Sequence, residues 1–524
     1  MSHDASPTNE VPDTPDATAL TGGRLLARNA AGNVVSQMLP MAVAIFAVPW
    51  LIRGLGTDRF GVMTLAWMVL GYFSLFDLGL GRALTQAVAE KLGRGESSGL
   101  PSLIVTALAL MAALGTAGAV LVAVCTPWLI GSALMVPSVI RDESIGAFLL
   151  MAAALPAVIL TAGFRGVMEA YQRFKAVIAL RTVTSLTVLL GPLAVLPFTN
   201  NLAVVVGVVA AARVGACVAH AAYCLNAIPG LRAGLRARPA PIRPLLAYGG
   251  WMTAVNIINP LMFQLDRFLI AAVVSTAAVA YYTTPFELIT RSWFLSGSIV
   301  MVVFPAFATS YVGDRARTAA LFERCLRSVG LILFPIALGG VTVGREVLWL
   351  WVGADFAAEG ARVLQWLSVG VFLTGLAQVP SALIQGVGRP KLTFQLHLIE
   401  LPPYLLAAWY LTVHYGIEGA ALAWAGRTAL DLVLYFTAVG WVLPEGAVSI
   451  RRAWRAVAAA LVVLALAALP LGLTYRAVVL AVGSAAFAAV AWSRLLSSDE
   501  RGAFVATIAA VARRGGDRST QAIR

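Results

Sequence analysis

Two adjacent residues of opposite charge, Asp266 and Arg267, interrupt the apolar run NPLMFQLDRFLIAAVVS. Neighbours on a helix point about 100° apart, so these two cannot face each other along one helix, and each needs a partner on another element, with Glu287 or Arg291 on the next one as candidates. Glu287 and Arg291 are themselves four apart and share a helical face, as do Arg427 and Asp431; that spacing suits an internal salt bridge. Arg213 lies near the middle of another apolar run, with Val209 and Cys217 one turn to either side and no carboxylate to neutralise it. Arg82, Arg165 and Arg181, with Asp77, Glu169 and the His397/Glu400 pair, complete the set. The chemistry these groups offer is binding. Arginine presents planar donors that match a phosphate two bonds at a time, and a carboxylate in an apolar setting can hold a proton.

The elements that must position them are membrane helices. Hydrophobic residues make up 60% of the chain and charged residues 12%, against about a quarter charged in ordinary globular domains. Apolar windows of about 20 residues, each long enough to cross the hydrocarbon core, recur along nearly the whole sequence. Length and breaks at Gly, Pro and charge place them near 29–52, 61–83, 100–124, 144–166, 176–197, 202–226 and 246–274, then 279–306, 328–344, 362–385, 393–413, 418–442, 455–473 and 476–496. The expectation is an all-α polytopic membrane protein with about fourteen transmembrane helices.

An ionisable group at the centre of such a helix costs at least about 2.5 kcal/mol and so faces a partner or an aqueous cavity. Arg82, Arg165 and Arg181 fall close to the inner surface, where snorkelling explains them. The membrane-depth set holds more arginine than carboxylate, which predicts a cavity of net positive character suited to an anion. Its candidate binding residues are Arg213, Arg267, Arg291, Arg82, Arg181 and Arg427. Asp77, Asp266, Glu287, Glu400 and Asp431 are candidates for proton coupling or for balancing the arginines.

Lys and Arg concentrate in alternate connections, which the positive-inside rule places in the cytoplasm together with both termini. The net charge of +13 then reflects topology, and no nucleic-acid partner is needed. Residues 1–24 read as a disordered cytoplasmic tail and 499–524 as a basic one; the start lacks the basic and short apolar regions of a cleavable signal peptide. NVVSQMLPM in the first span is loosely echoed by NIINPLMFQ in the seventh. Six spans from start to start give parallel copies, so the expected organisation is two pseudo-symmetric six-helix lobes, 25–230 and 231–445, followed by two further spans in 446–498.

No Walker A loop, HExxH or GxSxG occurs, and GLGRAL at Gly79 lacks the third glycine and preceding strand of a dinucleotide loop. The four cysteines lack metal-ligand spacing. Outer connections are short, which disfavours a polymerase or transferase. The expectation is a transporter without enzymatic activity, cofactor or metal.

The segments LIRGLGTDRFGVMTLAWMVLGYFSLFDLGLGRALTQAVAEKLGRG, QLDRFLIAAVVSTAAVAYYTTPFELI, VVFPAFA, LWLWVGADFAAEGARVLQWLSVG and IQGVGRPKLTFQLHLIELPPYLLAAWYLTVHYGIEGAALAWAGRTAL resemble the polysaccharide transporter (Wzx-type oligosaccharide flippase) branch of the multidrug/oligosaccharidyl-lipid/polysaccharide (MOP) superfamily. The resemblance covers residues 25–445. It implies a MATE/MOP-like fold in the bacterial inner membrane. It also implies alternating access that carries an undecaprenyl-diphosphate-linked oligosaccharide from the cytoplasmic to the periplasmic leaflet, alongside a polysaccharide polymerase and chain-length regulator and among membrane lipids. The alternatives are a lipid II flippase, against which the first span ends in LIRGLG and lacks an RD pair, and a MATE-like drug or cation antiporter, which would want a negative cavity.

Overall fold

The computed structural model describes residues 23–73, 80–93, 99–228, 231–234, 262 and 264–490. Among these there is no strand, and almost every residue is helical. The helices are α1 (Gly23–Leu55), α2 (Thr57–Phe73), α3 (Leu80–Gly93), α4 (Leu100–Trp128), α5 (Arg141–Ala170), α6 (Phe174–Val195) and α7 (Leu202–Ala227), then α8 (264–273), α9 (Thr276–Thr290), α10 (Trp293–Gly313), α11 (Arg315–Val352), α12 (Ala354–Gly386), α13 (Pro390–Val442), α14 (Ala447–Ala467) and α15 (Leu473–Val490), with a single turn at Leu231–Gly234. Seven helices among the described residues are long and apolar enough to cross a membrane. In lipid every backbone polar group must be satisfied within the chain, which helices alone achieve segment by segment. Threonine hydroxyls obey the same rule by bonding the carbonyl one turn back, as Thr106 does to Ser102 and Thr342 to Leu338 at 2.7 Å.

The chain divides into two compact units. The first comprises the described parts of Met1–Leu55, Val69–Thr126 and Asp142–Asn256. Its core packs Leu84, Val88, Ile104, Met111, Ile159 and Val167 from α3, α4 and α5, and α6 lies against α1 and α7. The start of α7 is closed twice over. The Asn201 side chain accepts from the Ala203 and Val204 amides at 3.0 and 3.3 Å, and Glu143 at the start of α5 accepts from the Leu202 amide at 3.0 Å. These are donors a helix cannot satisfy itself. Asn201→Ala is expected to lower stability by about 1 kcal/mol, read as a lower unfolding midpoint of the detergent-solubilised protein.

The second unit comprises Gly56–Met68, Pro127–Arg141 and the described residues after 257. Its centre is α12, with 83% of its apolar window buried against 17% for α4, packed between α11 and α13. α13 is two helices joined at Gly416, whose φ of 59° is a left-handed conformation that glycine takes without strain. α14 is tied to α11 through Glu323, which accepts from Ser449 Oγ at 2.7 Å and pairs with Arg452 at 3.0 Å. α15 is tied to α11 by Arg476 on Glu346 at 3.2 Å.

Several helix limits differ from the sequence expectation. The eighth predicted span, 279–306, is two helices with a turn at Arg291–Ser292. The ninth begins at Arg315 and the thirteenth at Ala447, before the expected 328 and 455. Both extensions carry exposed arginines: charge ends the apolar window but not the helix, and Asp314 caps the first of them by accepting from the Arg317 amide at 2.8 Å. Both termini, most of the seventh predicted span and the segment joining α2 to α3 lie outside the described residues.

Candidate functional site

The second unit holds a polar core inside its apolar packing. On α8, Asp266 and Arg267 are 1% and 3% exposed. As adjacency requires, they turn to different partners. The Asp266 carboxylate accepts from the Tyr282 hydroxyl of α9 and from the Arg267 amide. The Arg267 guanidinium lies over the Phe286 ring at 4.3 Å and its Nη2 is 3.9 Å from Glu287 Oε1. Glu287 also meets Arg291, one turn on, at 2.9 Å. That expected pair forms, but on an exposed face where such pairs contribute little.

Deeper in, α13 folds its two halves against each other at Gly416. One half presents Thr393, His397, Glu400 and Tyr404, spaced four, three and four apart and so on one stripe; the other presents Arg427, Asp431 and Tyr435. Arg427 Nη1 lies 3.6 Å from Glu400 Oε1, with its guanidinium over Tyr404 and Trp424 at 5.5 and 6.0 Å. Arg427 stays within Coulombic reach of Asp431, the partner its spacing indicates, but Glu400 on the facing half is a cross-helix partner that spacing along one helix does not reveal. Asp431 Oδ1 lies 3.9 Å from His397 Nε2, and that nitrogen is 3.2 Å from the Tyr435 hydroxyl.

The other candidates are elsewhere. Arg213 is half-buried on α7, and its buried Nε receives no hydrogen-bond partner among the described residues. Arg181 is half-buried on α6. Arg165 meets Glu169 at 3.8 Å on an exposed face of α5. Arg82 has its backbone in α3 and its side chain outside the described residues, as is all of Asp77.

The charge count within the second unit can be read by itself. Among its described residues the buried Asp, Glu and Arg are Asp266, Glu400 and Asp431 against Arg267 and Arg427, so these five show no surplus of arginine. Arg291, counted towards that surplus, is exposed. Tyr282, Tyr404 and Tyr435 belong to the core and were absent from the sequence reading, whereas His397 was noted there beside Glu400 without a role. The four, three, four stripe was the signal that could have added Tyr404 to that pair.

The described residues are almost all helical, and seven of their helices are long and apolar enough to cross a membrane. Comparison with solved structures identifies the fold. The chain superposes on an inward-facing multidrug resistance MATE family transporter of the MOP superfamily with a TM-score of 0.65 and 16% identity, covering 81% of this chain and 99% of that one. It superposes on the lipid II flippase MurJ with a TM-score of 0.65 and 11% identity, covering 89% and 99%. Residues 26–310 match the family described as Polysaccharide biosynthesis protein, and the chain belongs to that family. A Shigella flexneri protein named as an O-antigen transporter is 28% identical over 407 residues, 78% of this chain and 96% of that relative. The lipopolysaccharide biosynthesis protein WzxC of Escherichia coli (strain K12) is 28% identical over 170 residues, 32% of this chain and 34% of WzxC. The resemblance to the polysaccharide transporter branch of the MOP superfamily is thus borne out.

Proposed function

We propose that the protein is a flippase that moves an undecaprenyl-diphosphate-linked oligosaccharide from the cytoplasmic to the periplasmic leaflet of the bacterial inner membrane, for assembly of a surface polysaccharide. It does so by alternating access of two six-helix lobes within a fourteen-helix chain whose termini are both cytoplasmic, and without enzymatic chemistry of its own. The flipped product passes to a polymerase and its chain-length regulator. The near full-length match to an O-antigen transporter supports the substrate class.

The observation that carries the reading is Arg213. A cation in the middle of an apolar helix, with a buried guanidinium nitrogen that no described side chain or carbonyl satisfies, is stabilised by an anion that arrives and leaves. A lipid diphosphate leaving the headgroup zone loses water that such a preorganised donor replaces. Arg267 and Arg427 are committed to carboxylates and set the local field; they are not the first contacts of the anion.

Arg213→Ala is expected to slow export about tenfold or more, since a hydrogen bond to a charged group contributes about 1.5–3 kcal/mol. The measurement is accumulation of undecaprenyl-linked oligosaccharide on the cytoplasmic leaflet at unchanged membrane protein level, with Arg213→Lys retaining part of the rate. Normal export in Arg213→Ala would remove this residue from the path and with it the reading's main support.

A further inference from the structure

Among the described residues, the charged core of the second unit does not balance. Asp266, Glu400 and Asp431 carry three negative charges and Arg267 and Arg427 two positive ones. Including the Glu287–Arg291 pair, which is neutral in sum, leaves the deficit at one. An uncompensated buried charge is strongly destabilising, so the deficit marks a place where one positive charge belongs.

That place is the seam between the two halves of α13. Glu400 is 0% exposed, and neither of its carboxylate oxygens receives a hydrogen bond among the described residues. Asp431 Oδ1 is likewise without a donor. One donor atom each from His397, Glu400 and Asp431 lie within 4.8 Å of one another, close enough to share a small cation. Arg427 neutralises one carboxylate and leaves the other unmatched. Among the described residues, the charged and titratable groups around the seam are Asp266 and Arg267 from α8, Tyr282 from α9, and Tyr404, Arg427 and Tyr435 from α13 itself; none of these supplies the missing charge. A divalent ion would replace a deficit of one with a surplus of one beside the Arg427 guanidinium. A sodium ion would want a shell of oxygens where one of the three donors is an imidazole nitrogen.

We propose that Glu400 and Asp431 bind one exchangeable proton between them, with His397 as its port. The side chains of His397 and Asp431 are 13% and 10% exposed where that of Glu400 is 0%, so the proton enters from water at the His397 edge and comes to rest on a carboxylate oxygen. The inference rests on the transport reading, to which it adds the coupling ion.

The test is infrared spectroscopy of the purified full-length protein in lipid nanodiscs, following the carbonyl stretch of a protonated carboxylic acid. Wild type is expected to show a deuterium-sensitive band that is lost as pH rises. Glu400→Gln and Asp431→Asn should each abolish it alone, because the carboxylate that remains is matched by Arg427. His397→Asn should keep the band and slow its deuterium exchange. Should either carboxylate variant fail to fold, the other decides. A band that survives in both, or that only Asp266→Asn removes, overturns the proposal. So does a wild type with no band whose thermal stability rises with sodium at fixed pH. Any of these results would stand beside normal oligosaccharide export, so the flippase reading can survive the loss of the proton site.

Discussion

Arg427→Met is expected to lower the stability of the protein by about 3–5 kcal/mol, the range for removing one partner of a buried ion pair. The side chain is 3% exposed and meets Glu400, which is fully buried. Without it, Glu400 and Asp431 face each other across the α13 seam with the guanidinium that reaches both of them gone. Adding Glu400→Gln should recover most of the loss by removing the charge that Arg427 was matching, and the two effects should be strongly non-additive because the groups are in contact. The unfolding midpoint and the monodisperse fraction after extraction measure both. A double variant as unstable as Arg427→Met would mean that the guanidinium acts mainly by packing on Tyr404 and Trp424, and would remove the charge argument for this core.

Which residues reach membrane depth was legible in the sequence, because depth follows from position within an apolar window. Which of them meet was legible only where spacing along one helix decides it, as for Glu287 and Arg291. Asp266 and Arg267 announced by their adjacency that their partners lay elsewhere, and Glu287 was named as one candidate. The Arg427–Glu400 contact was hidden, since it depends on how two helices rotate about their axes when Gly416 reverses the chain. The charge balance within the second unit was hidden for the same reason. Counting arginines by depth put Arg291 with Arg267, whereas rotation leaves Arg291 at the surface and brings Asp431 and Glu400 inward. Helix ends were missed where basic residues continue a helix beyond its apolar window, at Arg315 and Ala447, because hydropathy measures the bilayer and not the backbone hydrogen bonds.

The chain order also conceals that Gly56–Met68 folds with the second unit, and Gly61 is where this has the largest consequence. Its Cα packs directly on the first turn of α9: a Cβ built there would overlap the Thr276 carbonyl oxygen and come within 2.8 Å of the carbonyl carbon. The contact is fixed on both sides, since Thr276 Oγ1 donates to Asp58 Oδ1 at 2.9 Å and the Ser275 hydroxyl caps α9 by accepting from the Ala278 amide at 3.0 Å. Overpacking typically costs about 1–3 kcal/mol, occasionally more, and a backbone carbonyl cannot swing aside as a side chain end does. Gly61→Val should therefore fall at or above the top of that range, and even Gly61→Ala should be clearly destabilising. Gly56 is the control within the same segment. It has a left-handed φ of 80° and open space around it, so Gly56→Ala should cost only the conformational strain of about 1–2 kcal/mol. Unfolding midpoints for the three variants in one detergent test the order. If Gly61→Ala proved as stable as wild type, α2 would not approach α9 as closely as Gly61 permits, and the segment would not belong to the second unit.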